Sequence, residues 1–156
     1  MRNKILILLL ASLAGCTYSF QGFTTSGIRS IAIPLFENKT IKPGIEEVIT
    51  QKIEDAFIED NRLKVVSEKD AGSILLGKIT SYDRVPFSYD ENENVKDYKI
   101  EISLSIIYKN NKGEMLWEKQ LKEWITYPVS ETEEDGIEDV ASKATEDILR
   151  GTLEGW

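Results

Sequence analysis

The chain has no histidine and a single cysteine, Cys16. These two scarcities exclude intrachain disulfides, Cys/His metal centres, and catalysis by histidine-containing triads or Cys-His pairs. Only carboxylates remain as metal ligands, and they favour hard cations. The acidic cluster Asp90, Glu91 and Glu93 lacks the regular oxygen-ligand spacing of a calcium loop and reads as a solvated turn. Nothing in the sequence places two carboxyls across a cleft, as glycoside chemistry requires. The expectation is a protein with no metal, no cofactor and no enzymatic activity.

Cations are the next shortage. Against 27 Asp and Glu there are 19 Lys and Arg, a formal net charge of -8, and loss of Arg2 and Lys4 with a leader makes the remainder two units more negative. Such a surface disfavours unspecific contact with nucleic acid or bare anionic lipid, because both need clustered cations. Any anionic ligand must meet a local basic patch. With 156 residues, 29% of them charged, the composition is that of one water-soluble domain rather than a multi-span membrane protein.

What is present begins at the N-terminus. Arg2 and Lys4 form a positive segment, and the aliphatic run Ile5 to Leu10 is too short to span roughly 30 Å of hydrocarbon as a permanent helix. Leu13-Ala14-Gly15-Cys16 matches the lipobox of bacterial lipoproteins. The match implies that residues 1–15 are a signal peptide and that Cys16 becomes the first residue of the mature protein, carrying a diacylglyceryl group and palmitate. One acyl chain holds a protein only marginally, at ~0.8 kcal/mol per buried methylene, whereas several make a lasting membrane tether. Residues 16–27, polar with aromatics and glycine, read as a lipidated linker, and 28–156 as a single domain. Asn38-Lys39-Thr40 has the form of a glycosylation sequon, which in a lipobox protein is a coincidence of sequence.

Within the domain, Ile31, Ile33 and Leu35 alternate with Ser30, Ala32 and Pro34, predicting a strand with one buried face, at an edge or ending at Pro34. Ile45, Val48, Ile49, Ile53, Ala56 and Phe57 recur at three and four, predicting a helix from Pro43 to Glu59 that Asp60-Asn61 ends. Leu63 to Val66 is a short β-branched strand, so strand, helix and strand suggest a crossover unit. Ser73 to Val85 follows as a third strand, with Gly77 marking a bulge or a close approach, and Ser88 to Asn94 as the loop after it. Tyr98, Ile100, Ile102, Leu104, Ile106 and Tyr108 alternate with polar residues, the clearest strand of the chain. Asn110-Asn111-Lys112-Gly113 supplies hairpin-turn chemistry, and Glu114 to Thr126 returns with Met115, Trp117, Leu121 and Ile125 on one face. Ser130 with Glu133 fits a capping box for a second helix, whose stripe Ile137, Val140, Ala141, Ala144, Ile148 and Leu149 ends near Gly151. The predicted order is β-α-β-β-β-β-α. This is an α+β fold, a mostly antiparallel sheet of 4–5 strands with two helices packed on one face.

That layout, with several local strings, resembles the LPS-assembly lipoprotein (LptE) family. The strings are Cys16 with Tyr18-Ser19-Phe20 and Gly22; Ile31-Ala32-Ile33-Pro34-Leu35-Phe36-Glu37-Asn38 ahead of the first helix; Leu76-Gly77-Lys78-Ile79-Thr80-Ser81-Tyr82; Tyr89-Asp90; and Trp117 after the Tyr98 to Tyr108 strand. The resemblance implies a non-enzymatic lipoprotein at the periplasmic side of the outer membrane. Its implied partners are an LPS-inserting β-barrel of LptD type, whose assembly it supports, and lipopolysaccharide, whose delivery it aids. The family carries no catalytic motif, so only Cys16, as the acylated residue, is transferred.

The residues themselves suggest further candidates. Arg84, Lys109 and Lys112, near hairpin ends, are candidates for contact with lipid phosphates, since Lys and Arg supply charge-assisted hydrogen bonds to phosphate. Trp124 is either an exposed partner anchor or, through a bulge, a core residue. A rival class also opens with an Ile-Ala-Ile-Pro-Leu-Phe-Glu-Asn-like strand: lipoproteins of curli-secretion or peptidoglycan-synthase-activating type. A secretion ring would need membrane-spanning hairpins about ten residues long, and the strands around Tyr98–Tyr108 and Met115–Ile125 have that length. Their apolar face is also the one the helices require, which assigns them to the domain core.

Overall fold

The computed structural model describes residues 27–154. Short strands β1 (Ser30–Ala32) and β2 (Glu37–Asn38) precede helix α1 (Ile45–Asp60). Strand β3 (Lys64–Val65) and one 3-10 turn (Glu68–Asp70) lead to three long strands, β4 (Ser73–Tyr89), β5 (Val95–Asn110) and β6 (Met115–Pro128). Helix α2 (Glu133–Glu154) follows. The six strands form one sheet in the order β3-β1-β4-β5-β6, with β2 pairing β4. β1 runs parallel to β3 and β4, and β2 parallel to β4, while β4, β5 and β6 form an antiparallel meander. The fold is α+β with a mostly antiparallel sheet, and the parallel β1–β3 pair joined through α1 is the expected crossover. None of the described helices is long and apolar enough to cross a membrane.

The alternation of β5 explains the layering. Ile100, Ile102, Leu104, Ile106 and Tyr108 are fully buried, whereas Lys99, Glu101, Ser103 and Ser105 look out from the opposite face. The buried face meets Ile45, Ile49, Ile53 and Phe57 of α1, and Ile137, Val140, Ala141, Ala144 and Ile148 of α2. The long strands are therefore core strands of this domain, their apolar side covered by its own helices. At ~1.5–3 kcal/mol per large buried side chain, this shared face is the main source of stability.

Two glycines set how closely the layers meet. A Cβ on Gly77 would fall within the Phe36 ring, so the close approach expected there is real. Gly136, in the first turn of α2, lies against Tyr127 and Ile100, where an added Cβ would meet their side chains at 2.8 and 2.9 Å.

Four expectations are corrected. β1 ends before Pro34, one of the two alternatives expected, but lies between β3 and β4 rather than at an edge, so Ile31, Ala32 and Ile33 are all buried, while Leu35, expected on the buried face, is 62% exposed. A sixth strand, β2, has only two residues and no alternation to reveal it. It is held by pairing to Lys78 and Ile79, and by Asn38, whose side-chain amide donates to the Lys42 carbonyl and Glu46 and accepts from Thr40. The residues of the sequon-like triplet thus order the loop into α1. The α2 cap is Thr132 with Asp135, not Ser130 with Glu133: the Thr132 hydroxyl accepts from the Asp135 N–H at 3.2 Å, and the Asp135 carboxylate accepts from the Thr132 N–H at 3.0 Å. Finally, Gly151 lies buried inside α2, which continues to Glu154 with Thr152 buried as well.

Candidate functional site

Arg84 lies in the outer half of β4 and, through its register with Ile100, over the side of the sheet that faces the helices. Its guanidinium stacks 3.6 Å from the centre of the Tyr98 ring, and its Nε donates to the Tyr127 hydroxyl. The same Nε lies 3.9 Å from Glu133. Tyr98 and Tyr127, paired across β5 and β6, stack at 5.9 Å. Glu133, the first residue of α2, also accepts a 2.6 Å hydrogen bond from the Tyr82 hydroxyl and pairs with Lys42 at 2.9 Å. Those bonds, Tyr82 first and Lys42 second, hold the Glu133 carboxyl below its ordinary range, while burial and then the Glu133 charge push the Tyr82 phenol well up. The bond to Tyr127 likewise keeps Arg84 firmly charged.

The structure does not bring the three candidate phosphate contacts together. Arg84 faces Ile100, whereas Lys109 faces Ile74 and Met115, and Lys112 sits in the β5–β6 turn. Nine positions of β5 between Ile100 and Lys109 amount to ~30 Å at ~3.3 Å per residue. Lys109 and Lys112 share the end of the sheet at which the described chain begins: Asn111 donates to the Gly72 carbonyl, and Gly72 lies beside Ile28. Lys112 is exposed, and neither lysine forms an ion pair among the described residues.

Trp124 stays out of the core and is 46% exposed. It stands opposite Glu101 on the uncovered sheet face, its ring 5.2 Å from the Lys99 ammonium and 5.4 Å from that of Lys143. Lys143 also donates to the Trp124 carbonyl. Glu101 is flanked by Lys122 at 2.7 Å and Lys99 at 2.8 Å, which hold its carboxyl below the usual range. The only register shift along β5–β6 is at Tyr108/Lys109, far from Trp124, so no bulge turns the indole inward; it turns Met115 instead, which was expected on the face of Trp117, to the opposite face beside Lys109, where it is 51% exposed. In the acidic turn, the Asp90 carboxylate accepts the Asn92 and Asn94 N–H groups at 2.8 and 2.9 Å. No metal-holding group of three acidic or sulfur side chains forms among the described residues. Cys16 lies outside the described residues.

Sequence reasoning missed the assembly of Tyr82, Tyr98, Tyr127, Glu133 and Lys42 around Arg84. Its members come from four elements and a loop, and only the registers of β4, β5 and β6 bring them together.

The fold, an open sheet under two helices with no catalytic cluster among the described residues, is shared with several bacterial proteins. A hypothetical protein of Chlamydia trachomatis superposes with a TM-score of 0.56 at 10% identity, over 80% of this chain and 95% of that one. PelC from Paraburkholderia phytofirmans, solved as a dodecamer, gives 0.54 at 13%, over 77% and 84%. A minor lipoprotein of Acinetobacter baumannii gives 0.51 at 8%, over 80% and 92%. At such identities the likeness is one of fold alone. No curated protein matches the chain by sequence. The profile of the LptE family, described as lipopolysaccharide-assembly, matches residues 28–151, and the chain belongs to that family. Its general role is therefore that of a lipopolysaccharide-assembly lipoprotein, in a family whose members are not enzymes.

Proposed function

We propose that this chain is an outer-membrane lipoprotein, cleaved after residue 15 and anchored through acylated Cys16. In this reading residues 28–156 form one periplasm-facing domain that partners the LPS-inserting β-barrel of LptD type, supports its assembly and aids delivery of lipopolysaccharide. The family match over residues 28–151 carries the reading. The uncovered sheet face is compatible with it: barrel lumens are polar, and this face presents Lys78, Lys99, Glu101, Ser103, Ser105, Gln120 and Lys122. Lys109 and Lys112 are proposed as contacts to lipid phosphate and Trp124 as a partner contact. Arg84 is proposed as a further lipopolysaccharide contact, separate from those two lysines, its guanidinium stacked on Tyr98 and bonded to Tyr127.

The test is detergent co-purification of the tagged, lipidated chain from its native membrane, with bound proteins identified by mass spectrometry. A large outer-membrane β-barrel in near-equal amount supports the proposal. Recovery of a peptidoglycan synthase, or self-association alone, overturns it in favour of the rival class of lipoproteins.

A further inference from the structure

Of the ten residues Thr80 to Tyr89 of β4, eight pair with β5 on one side, Thr80 and Phe87 lying at register shifts, and none pairs with a strand on the other side among the described residues. β1 leaves the edge of β4 at Ile74 and β2 leaves it at Ile79, where the Lys39 N–H bonds the Ile79 carbonyl before the chain turns into α1. Pro86, which has no N–H, and the register shift between Pro86 and Ser88 discourage strand addition further out. Between these limits, and past the register shift between Ile79 and Ser81, lies Ser81 to Val85, ~17 Å of extended backbone with no second strand beside it among the described residues.

The same end of the sheet concentrates apolar surface. Val85, Phe87 (56% exposed), Tyr89 and Val129 are four of the nine large apolar side chains exposed among the described residues, and the Val129 N–H bonds the Lys96 carbonyl of the same hairpin. Clustered exposed apolar groups mark contact sites more often than isolated ones do. Charge narrows the occupant. Asp83, Asp90, Glu91, Glu93, Asp97 and Glu101 lie around these groups, against Arg84, Lys96 and Lys99, of which Lys99 stands opposite Val85; Arg84 is already bound to Tyr127 and Lys99 to Glu101. An anionic lipid surface is repelled by that set, whereas a polypeptide carrying Lys or Arg is attracted.

We propose that this end docks an extended, apolar and basic segment of the barrel partner, added as a strand to Ser81–Val85 and covering Val85, Phe87 and Tyr89. Main-chain hydrogen bonds at the edge supply affinity in this mode, and the flanking side chains select the segment. The proposal rests on the barrel-partner reading above and adds the surface that serves it.

The experiment places the photocrosslinker p-benzoylphenylalanine at position 87, and as control at the exposed position 58 of α1, in the full lipidated chain in its native membrane. Position 87 is expected to crosslink a Lys- or Arg-bearing segment of the co-purifying barrel, and position 58 is not. The double variant Val85→Glu/Phe87→Glu is expected to recover at least tenfold less barrel while keeping the circular dichroism and melting temperature of the unaltered chain. If the unaltered chain recovers the barrel, yet the double variant recovers as much and position 87 does not crosslink it, this surface is refuted and the barrel reading stands. A crosslink from position 87 to lipopolysaccharide or to a second copy of the chain also refutes it. If the unaltered chain recovers no barrel, both proposals fall.

Discussion

The Tyr82 hydroxyl donates a 2.6 Å hydrogen bond to the Glu133 carboxylate, joining the middle of β4 to the first residue of α2. Lys42, from the loop before α1, reaches the same carboxylate at 2.9 Å. Three segments far apart in the chain therefore share one buried-edge carboxylate. Arg84, two positions beyond Tyr82, extends the same cluster along β4 toward the exposed hairpin.

Replacing Tyr82 by Phe removes that donor while keeping the ring. Hydrogen bonds to charged groups contribute ~1.5–3 kcal/mol. Lys42 remains on Glu133, and the Glu133 side chain is 29% exposed, so the expected loss is at the lower end, about 1–1.5 kcal/mol. Urea unfolding at neutral pH measures it, and an unchanged midpoint would show that the bond contributes nothing.

The same carboxylate predicts an acid dependence. Glu133 titrates below its ordinary value of 4.5 in the folded chain. A depressed carboxylate contributes stability that is present above its unfolded value and is lost as pH falls through its folded one. Unfolding free energy is therefore expected to decline below about pH 4.5. In Glu133→Gln, part of that decline disappears, as denaturation curves at a series of pH values would show.

Gly77→Ala forces a Cβ into the space of the Phe36 ring. Overpacking of this kind costs ~1–3 kcal/mol. Phe36→Ala alone costs ~3–5 kcal/mol through the cavity it leaves. Combined, the two changes should cost less than their sum, because the missing ring removes the clash. A double-mutant cycle in urea reads this directly, and strict additivity would mean that the ring is not the obstacle.

Capping separates two neighbouring hydroxyls. Thr132→Ala is expected to cost about 1 kcal/mol, the usual value of an N-cap side chain, and Ser130→Ala close to nothing. Thermal melts of the two variants side by side decide it. Equal losses would place the helix start two residues earlier.

Much of the fold was legible because it rests on local periodicity. The 3.6-residue recurrence of Ile45, Ile49, Ile53 and Phe57 and the strict alternation from Ile100 to Tyr108 each describe one apolar face, and each face is buried. The Asn110–Gly113 turn was equally readable, since Gly113 has the positive φ of 83° that the turn chemistry implies. β2 was not readable: two residues carry no period, and the strand exists through β4 and the Asn38 side chain. Ser130 was read as the cap from its spacing to Glu133, and only the hydrogen bonds between Thr132 and Asp135 assign the cap to Thr132. Arg84 was legible as a strand cation near a hairpin end, but nothing local reveals Tyr98 and Tyr127 beside it.

By itself, the amino-acid sequence determined the element types, the α+β class, the buried faces of the two helices and of β5, and the family to which the chain belongs. These follow from side-chain periodicity, turn stereochemistry and ordered local strings, all properties of neighbouring residues. Only the tertiary structure decided that β1 is an interior strand, that Arg84 stands ~30 Å from Lys109, that Trp124 stays outside the core, and that the outer half of β4 has no second strand beside it among the described residues. Each of these depends on strand order and register, which bring residues tens of positions apart into contact through packing and hydrogen bonds that no local pattern records.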